Sequence, residues 1–213
     1  MNLVDQISTD NSMIFSFIAL SFFCLGILRA FYWKYTRLML IAAFKFRYAS
    51  QYLRQENVFT ERVNWISFLI LIINFALIFS FFDISYQSGR ISILIFSLIF
   101  FYAAKFLIIK SLGKLLLSDE ISRLTIFYSF LSDKALAVTI TPLVLVLYFF
   151  SFDVEINILF FIFFLAILFL LFKLYWVWNV GTNYFGLSSI YIFLYLCILE
   201  IYPFVFITKG FFY

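Results

Sequence analysis

Apolar residues fill this chain in long unbroken runs, and polar residues gather in the short stretches between them. Six runs are about as long as a bilayer crossing, at residues 12–32, 64–82, 91–110, 135–151, 157–178 and 187–208. A hydrocarbon core about 30 Å thick takes roughly 20 mostly apolar residues per crossing helix. The second run is the cleanest, reading NWISFLILIINFALIFSFF from Asn64 to Phe82. The third closes on Lys105 and Lys110, and the fourth is short and contains Pro142. Proline is tolerated in membrane helices where neighbours re-satisfy the freed backbone. A transmembrane barrel would show alternating segments of about ten residues instead. The pattern therefore predicts an all-α, polytopic transmembrane helix bundle of six spans, one membrane domain over residues 1–213.

Two longer connections have patterns of their own. Residues 33–63 mix basic and aromatic side chains without Gly or Pro. They are expected to form a helix near the headgroups, where each basic residue gains about 1 kcal/mol from anionic lipid. The alternative is a docking face for a partner protein. In residues 119–132, Ser118 or Asp119 can cap a helix whose first turn holds Glu120, with the acids at the favourable N-terminal end. Ile121, Leu124, Phe127, Tyr128 and Leu131 recur on one face, and Arg123, Thr125, Ser129 and Ser132 take the rest. That spacing predicts a short amphipathic helix lying in the interface plane.

Composition agrees with this architecture and sets its orientation. Of 213 residues, 66% are hydrophobic and only 12% charged, against about 25% charged in soluble domains. A water-soluble fold is excluded. All the basic residues except Arg90 and Lys209 fall in or beside the first, third and fifth connections. Cytoplasmic loops carry the Lys and Arg excess, so both termini are expected on the outer, periplasmic side of a bacterial inner membrane. Trp33, Trp65, Trp176 and Trp178 all fall at the expected cytoplasmic ends, as interfacial tryptophans do. The N-terminal MNLVDQISTD has acids and no base, and no A-x-A site follows the first run. That run is expected to be a retained helix rather than a cleaved signal peptide.

Inventory removes most catalytic chemistry. With no histidine there is no Ser-His-Asp triad, no H-E-x-x-H and no haem imidazole. Two cysteines, Cys24 and Cys197, lie inside spans and exclude a disulfide scaffold or structural zinc site. The Gly-Lys pair in KSLGKLLLS lacks the earlier glycine of a phosphate-binding loop, because Ile108 stands there. The basic residues are explained by topology and leave no nucleic-acid footprint. No catalytic residue, cofactor or metal is expected. Asp119, Glu120 and Asp133 look like capping and solvated charges, which leaves a lipid-modifying enzyme without its acids.

What remains is a small set of polar residues within the spans, and an intramembrane ionisable residue is a functional-site hypothesis by default. Glu200 lies in LYLCILEIYPFVF, three residues before Pro203, which frees the carbonyl of Leu199. Lys105 in the third span leans outward and Glu200 in the sixth leans inward, closing their difference in depth. Asn74 sits at an intermediate depth, and Tyr102 shares a face with Lys105. These four are expected to form a buried polar cluster, with Pro142 and Pro203 as helix-kink positions. Glu200 and Lys105 either pair to fix how two helices pack, or serve a proton, cation or headgroup.

The run YIFLYLCILEIYPFVFITK, residues 191–209 with its L-C-x-L-E-I-x-P core, closely resembles the final helix of a family of Bacteroidota integral membrane proteins, domain-of-unknown-function family 4271. Asn74, Lys105 and Pro142 also resemble its pattern, and the resemblance covers about residues 60–209. It implies an inner-membrane location and no activity. The function expected first is a non-catalytic accessory or scaffold subunit of a cell-envelope complex, in contact with the lipid bilayer and a membrane-protein partner. The alternative is a small transporter or lipid-handling protein using the Glu200/Lys105 pair.

Overall fold

A computed structural model describes residues 3–54, 58–82, 89–115, 119–149 and 152–185. Among these residues every regular element is a helix: α1 (Leu3–Phe31), α2 (Trp33–Phe44), α3 (Phe46–Arg54), α4 (Val58–Phe82), α5 (Gly89–Leu115), α6 (Asp119–Phe149) and α7 (Phe152–Phe185). Five of them contain stretches long and apolar enough to cross a bilayer: Ser12–Phe31, Val58–Phe81, Ile91–Ser111, Ile126–Phe149 and Asn157–Trp176. The sixth expected span, 187–208, lies outside the described residues, as do Glu200, Pro203 and Cys197.

The chain is a helical bundle with α4 and α6 at its centre. The stretches of α4 and α6 are 56% buried inside the protein, against 22% for those of α1, α5 and α7. Small residues allow the central pair to approach, since Ala76 on α4 and Ala135 and Ala137 on α6 are all fully buried. α5 and α7 both pack along α6. Their remaining faces, and that of α1, expose large apolar side chains such as Phe23, Phe96 and Phe160. In water such faces would be an aggregation surface, whereas in a bilayer they meet lipid tails as apolar as themselves.

The basic connection after α1 is not one surface helix. Tyr32 breaks α1 from α2, and Lys45, with extended backbone, breaks α2 from α3. α2 turns its Thr36, Met39, Ala42 and Ala43 inward, where Met39 and Ala42 join a core with Leu28, Tyr52, Ile70 and Leu131. Lys34, Arg37, Lys45 and Arg54 stay exposed. The two helices bury short separate strips against the bundle end, so no single apolar stripe runs through the stretch.

The stretch 119–132 is likewise not a separate interfacial helix. It is the first half of α6, which continues without interruption to Phe149 and carries Pro142 inside it. Tyr128, Ser129, Leu131 and Ser132 are all buried. The two serines expected on a polar outer face are therefore inside. A helix rising between neighbours is covered on several sides, whereas one lying in the interface plane is covered on one. Pro142 faces outward, and its missing amide leaves the carbonyl of Val138 without a helical donor.

Candidate functional site

The ends of α4, α5, α6 and α7 nearest α2 and α3 hold a polar network, and α6 supplies its centre. Asp133 lies within α6, not in solvent and not at a cap. From α5, Lys105 Nζ reaches its Oδ2 at 3.5 Å, and from α7, Lys173 Nζ reaches its Oδ1 at 2.8 Å. The lysine side chains are 4% and 5% exposed and the aspartate 18%. One carboxylate thus holds two helices against a third. The expectation that Asp133 is solvated is overturned by this geometry, because the helix carries it past the bundle end into contact with both lysines.

The next residue extends the network to α4 and α3. Lys134 Nζ donates to Asn64 Oδ1 at 3.3 Å, and Tyr52 Oη donates to the same oxygen at 3.2 Å. Burial pushes the Tyr52 phenol above its ordinary range, which keeps it a protonated donor. Nearby, Arg62 Nη1 donates to Tyr32 Oη at 3.3 Å. The rings of Tyr128 and Trp176 stack at 6.0 Å and 2°, joining α6 to α7 on the same side of the bundle.

Of the residues expected to meet, Lys105 and Tyr102 are both buried on α5, one helical turn apart. The Tyr102 ring lies 5.7 Å from both Phe68 on α4 and Phe130 on α6. Asn74 belongs elsewhere. Its Nδ2 donates to Ala137 O at 3.0 Å and Thr141 Oγ1 at 2.9 Å, one to two turns beyond Asp133 along α6. Thr141 Oγ1 itself donates to Ala137 O at 2.9 Å. Asn74 is fully buried, and its Oδ1 has no hydrogen-bond partner among the described residues. A further cross-link follows from Tyr148 Oη, which donates to Leu77 O at 2.7 Å. Asn74 and Tyr148 both tie α6 to α4 at the half of the bundle away from the lysines.

Sequence reasoning missed Asp133, Lys134, Lys173, Asn64 and Tyr52 as members of one network. The signal was present in two places. Lys173 interrupts the apolar run LLFKLYW, and the Asp133–Lys134 pair stands where an amphipathic helix was expected to end. Counting Lys173 as a topology marker concealed that an acid and a base within two spans can meet. Chemically, the network can hold charge inside an apolar bundle and orient several ammonium donors. Among the described residues no group of three or more Cys, Asp or Glu is placed to hold a metal ion.

No curated protein and no solved structure matches the chain. One protein-family model does, the one described as Domain of unknown function (DUF4271), over residues 14–211. The chain belongs to that family.

Proposed function

We propose that this chain is an inner-membrane protein of a double-membraned bacterium that acts, without catalysis of its own, as an accessory or scaffold subunit of a cell-envelope complex. The observation that carries this reading is the way its buried charges are used: Asp133 binds Lys105 and Lys173 and so ties α5 and α7 to α6. Charge turned inward to fix three helices makes a rigid body. The outward faces of α1, α5 and α7 then offer aromatic surface to lipid and to other membrane helices. In this reading both termini are periplasmic. The exposed Lys34, Arg37, Lys45 and Arg54 face the cytoplasm and anionic headgroups. Purifying the tagged protein from its native membrane in mild detergent, with mass spectrometry of what accompanies it, tests the proposal. A stoichiometric partner protein is the expected result, and repeated recovery of the chain alone counts against it.

A second reading, a small transporter or lipid-handling protein, is favoured by one observation. Among its described residues the network has three lysines, Lys105, Lys134 and Lys173, and one carboxylate, Asp133. Several ammonium groups just inside one end of a bundle suit a phosphate-bearing headgroup. Native mass spectrometry of the protein in detergent would then show a retained anionic lipid, lost in Lys134→Gln.

A further inference from the structure

We infer that the ammonium of Lys134 and the side-chain amide of Asn64 form a binding site for a singly charged phosphate, with Tyr52 holding the amide in place. The inference rests on the second functional reading, in which the lysine network takes a headgroup, and it assigns the two groups that take it.

The orientation of Asn64 follows from what its neighbours can donate. Lys134 Nζ on α6 reaches one polar atom of the Asn64 side chain at 3.3 Å. An ammonium has donors and no acceptor, so that atom is Oδ1 and not the amide nitrogen. From α3, Tyr52 Oη donates to the same oxygen at 3.2 Å. Donors from two helices thus pin the amide, and Nδ2, carried on the same carbon as Oδ1, is left beside the ammonium. Among the described residues no acceptor takes the hydrogens of Nδ2 or the remaining hydrogens of Lys134. Asn64 and Lys134 are both half-buried, which leaves these donors within reach of a ligand.

The charge of Lys134 is also unanswered. Asp133 precedes it, but successive residues stand about 100° apart around a helix, and the two Asp133 oxygens are held by Lys105 and Lys173. Among the described residues no carboxylate lies within ion-pair distance of Lys134. Charges inside an apolar bundle are paired as a rule, so an ammonium and an amide donor side by side select an anion. One positive charge balances one negative charge, and a phosphate presents neighbouring oxygens that accept from two adjacent donors. Depth favours a lipid source. Trp65, the residue after Asn64, is exposed on α4, as tryptophans at the level of the headgroups are. Free phosphate offers the same chemistry.

Asn64→Asp tests the site without dismantling it. The carboxylate keeps an oxygen for Tyr52 and Lys134, so the thermal midpoint in detergent should not fall. It replaces Nδ2 with an acceptor and neutralises the ammonium, so an anion should no longer bind. Native mass spectrometry of the whole chain in detergent, titrated with short-chain phosphatidylglycerol, is expected to show binding that weakens about tenfold or more in Asn64→Asp and in Lys134→Gln. A parallel titration with inorganic phosphate, read by the thermal midpoint, identifies the source. A rise in the wild type that Asn64→Asp abolishes, without lipid binding, supports the site with soluble phosphate as its ligand. Phosphatidylglycerol bound equally by the wild type and both variants overturns the site and leaves the second reading standing, with the headgroup held elsewhere on the network. Binding of neither probe to the wild type overturns the site and that reading together. Where Asn64→Asp cannot be purified folded, Lys134→Gln decides.

Discussion

Lys173 Nζ donates to Asp133 Oδ1 at 2.8 Å across the α6–α7 interface, and Lys105 holds the other oxygen of the same carboxylate from α5. Asp133 is thus the common anchor of two buried cations. Removing one partner of a buried pair costs more than the pair contributes, because an uncompensated charge is left behind.

Asp133→Asn is accordingly expected to destabilise the folded protein by about 3 kcal/mol, measured by thermal unfolding in detergent. Combining it with Lys173→Met should cost much less than the sum of the two single variants, because both substitutions remove the same Lys173–Asp133 contact. Additive losses would show that the two side chains are energetically independent despite their contact.

Asn74 ties α4 to α6 through two donated hydrogen bonds, to Ala137 O and Thr141 Oγ1. Interhelical polar contacts in membrane proteins contribute about 0.6 kcal/mol on average and up to about 1.7. Asn74→Ala should therefore lower stability by about 1 kcal/mol, and Thr141→Val by roughly half of that. Since Asn74 is a separate contact from the lysine network, Asn74→Ala and Asp133→Asn should add. A cycle of the two, measured by the same unfolding assay, shows coupling if they share one network.

Tyr52 makes alkaline stability a readout of the network. Its phenol is raised above the ordinary value of 10.0 by burial, so between that value and its folded value the unfolded chain ionises while the folded chain does not. The contribution is fully present below about pH 10 and is lost as pH rises toward the folded value. Stability measured against pH should fall above about pH 10, and Tyr52→Phe should make that fall shallower while also losing the bond to Asn64. An unchanged slope in Tyr52→Phe would mean the phenol ionises alike in both states.

The fold was legible where a physical rule acts on one segment at a time, and obscure where segments meet. Apolar length identified the five candidate crossing stretches, because each helix must satisfy its own backbone in a bilayer. The same rule could not show that 119–132 continues into the next helix, since a buried face and a lipid-facing one are both apolar. Serines 129 and 132 looked outward only because their neighbours across α6 were unknown. Lys105 was singled out from its position inside an apolar run, but choosing Asp133 as its partner required the register of α5 against α6. Lys173 was read as a loop marker for the same reason. Asn74 was expected inside the bundle, while its partners are the Thr141 hydroxyl and a backbone carbonyl, the latter an acceptor every residue carries and no sequence pattern marks.

Topology can be tested at Arg54, the exposed last residue of α3. Under the positive-inside rule, the excess of Lys and Arg around α2 and α3 leads to the expectation that this end of the bundle faces the cytoplasm. With Cys24→Ser and Cys197→Ser removing the native thiols, Arg54→Cys should resist a membrane-impermeant maleimide in cells whose inner membrane is intact. It should react once that membrane is permeabilised. A residue introduced at Asp153, near the opposite end of α7, should show the reverse and react in both conditions. Reaction of Arg54→Cys in intact cells with protection of Asp153→Cys would invert the bundle. The lysine–aspartate network would then open toward the periplasm, and any headgroup it meets would belong to the outer leaflet.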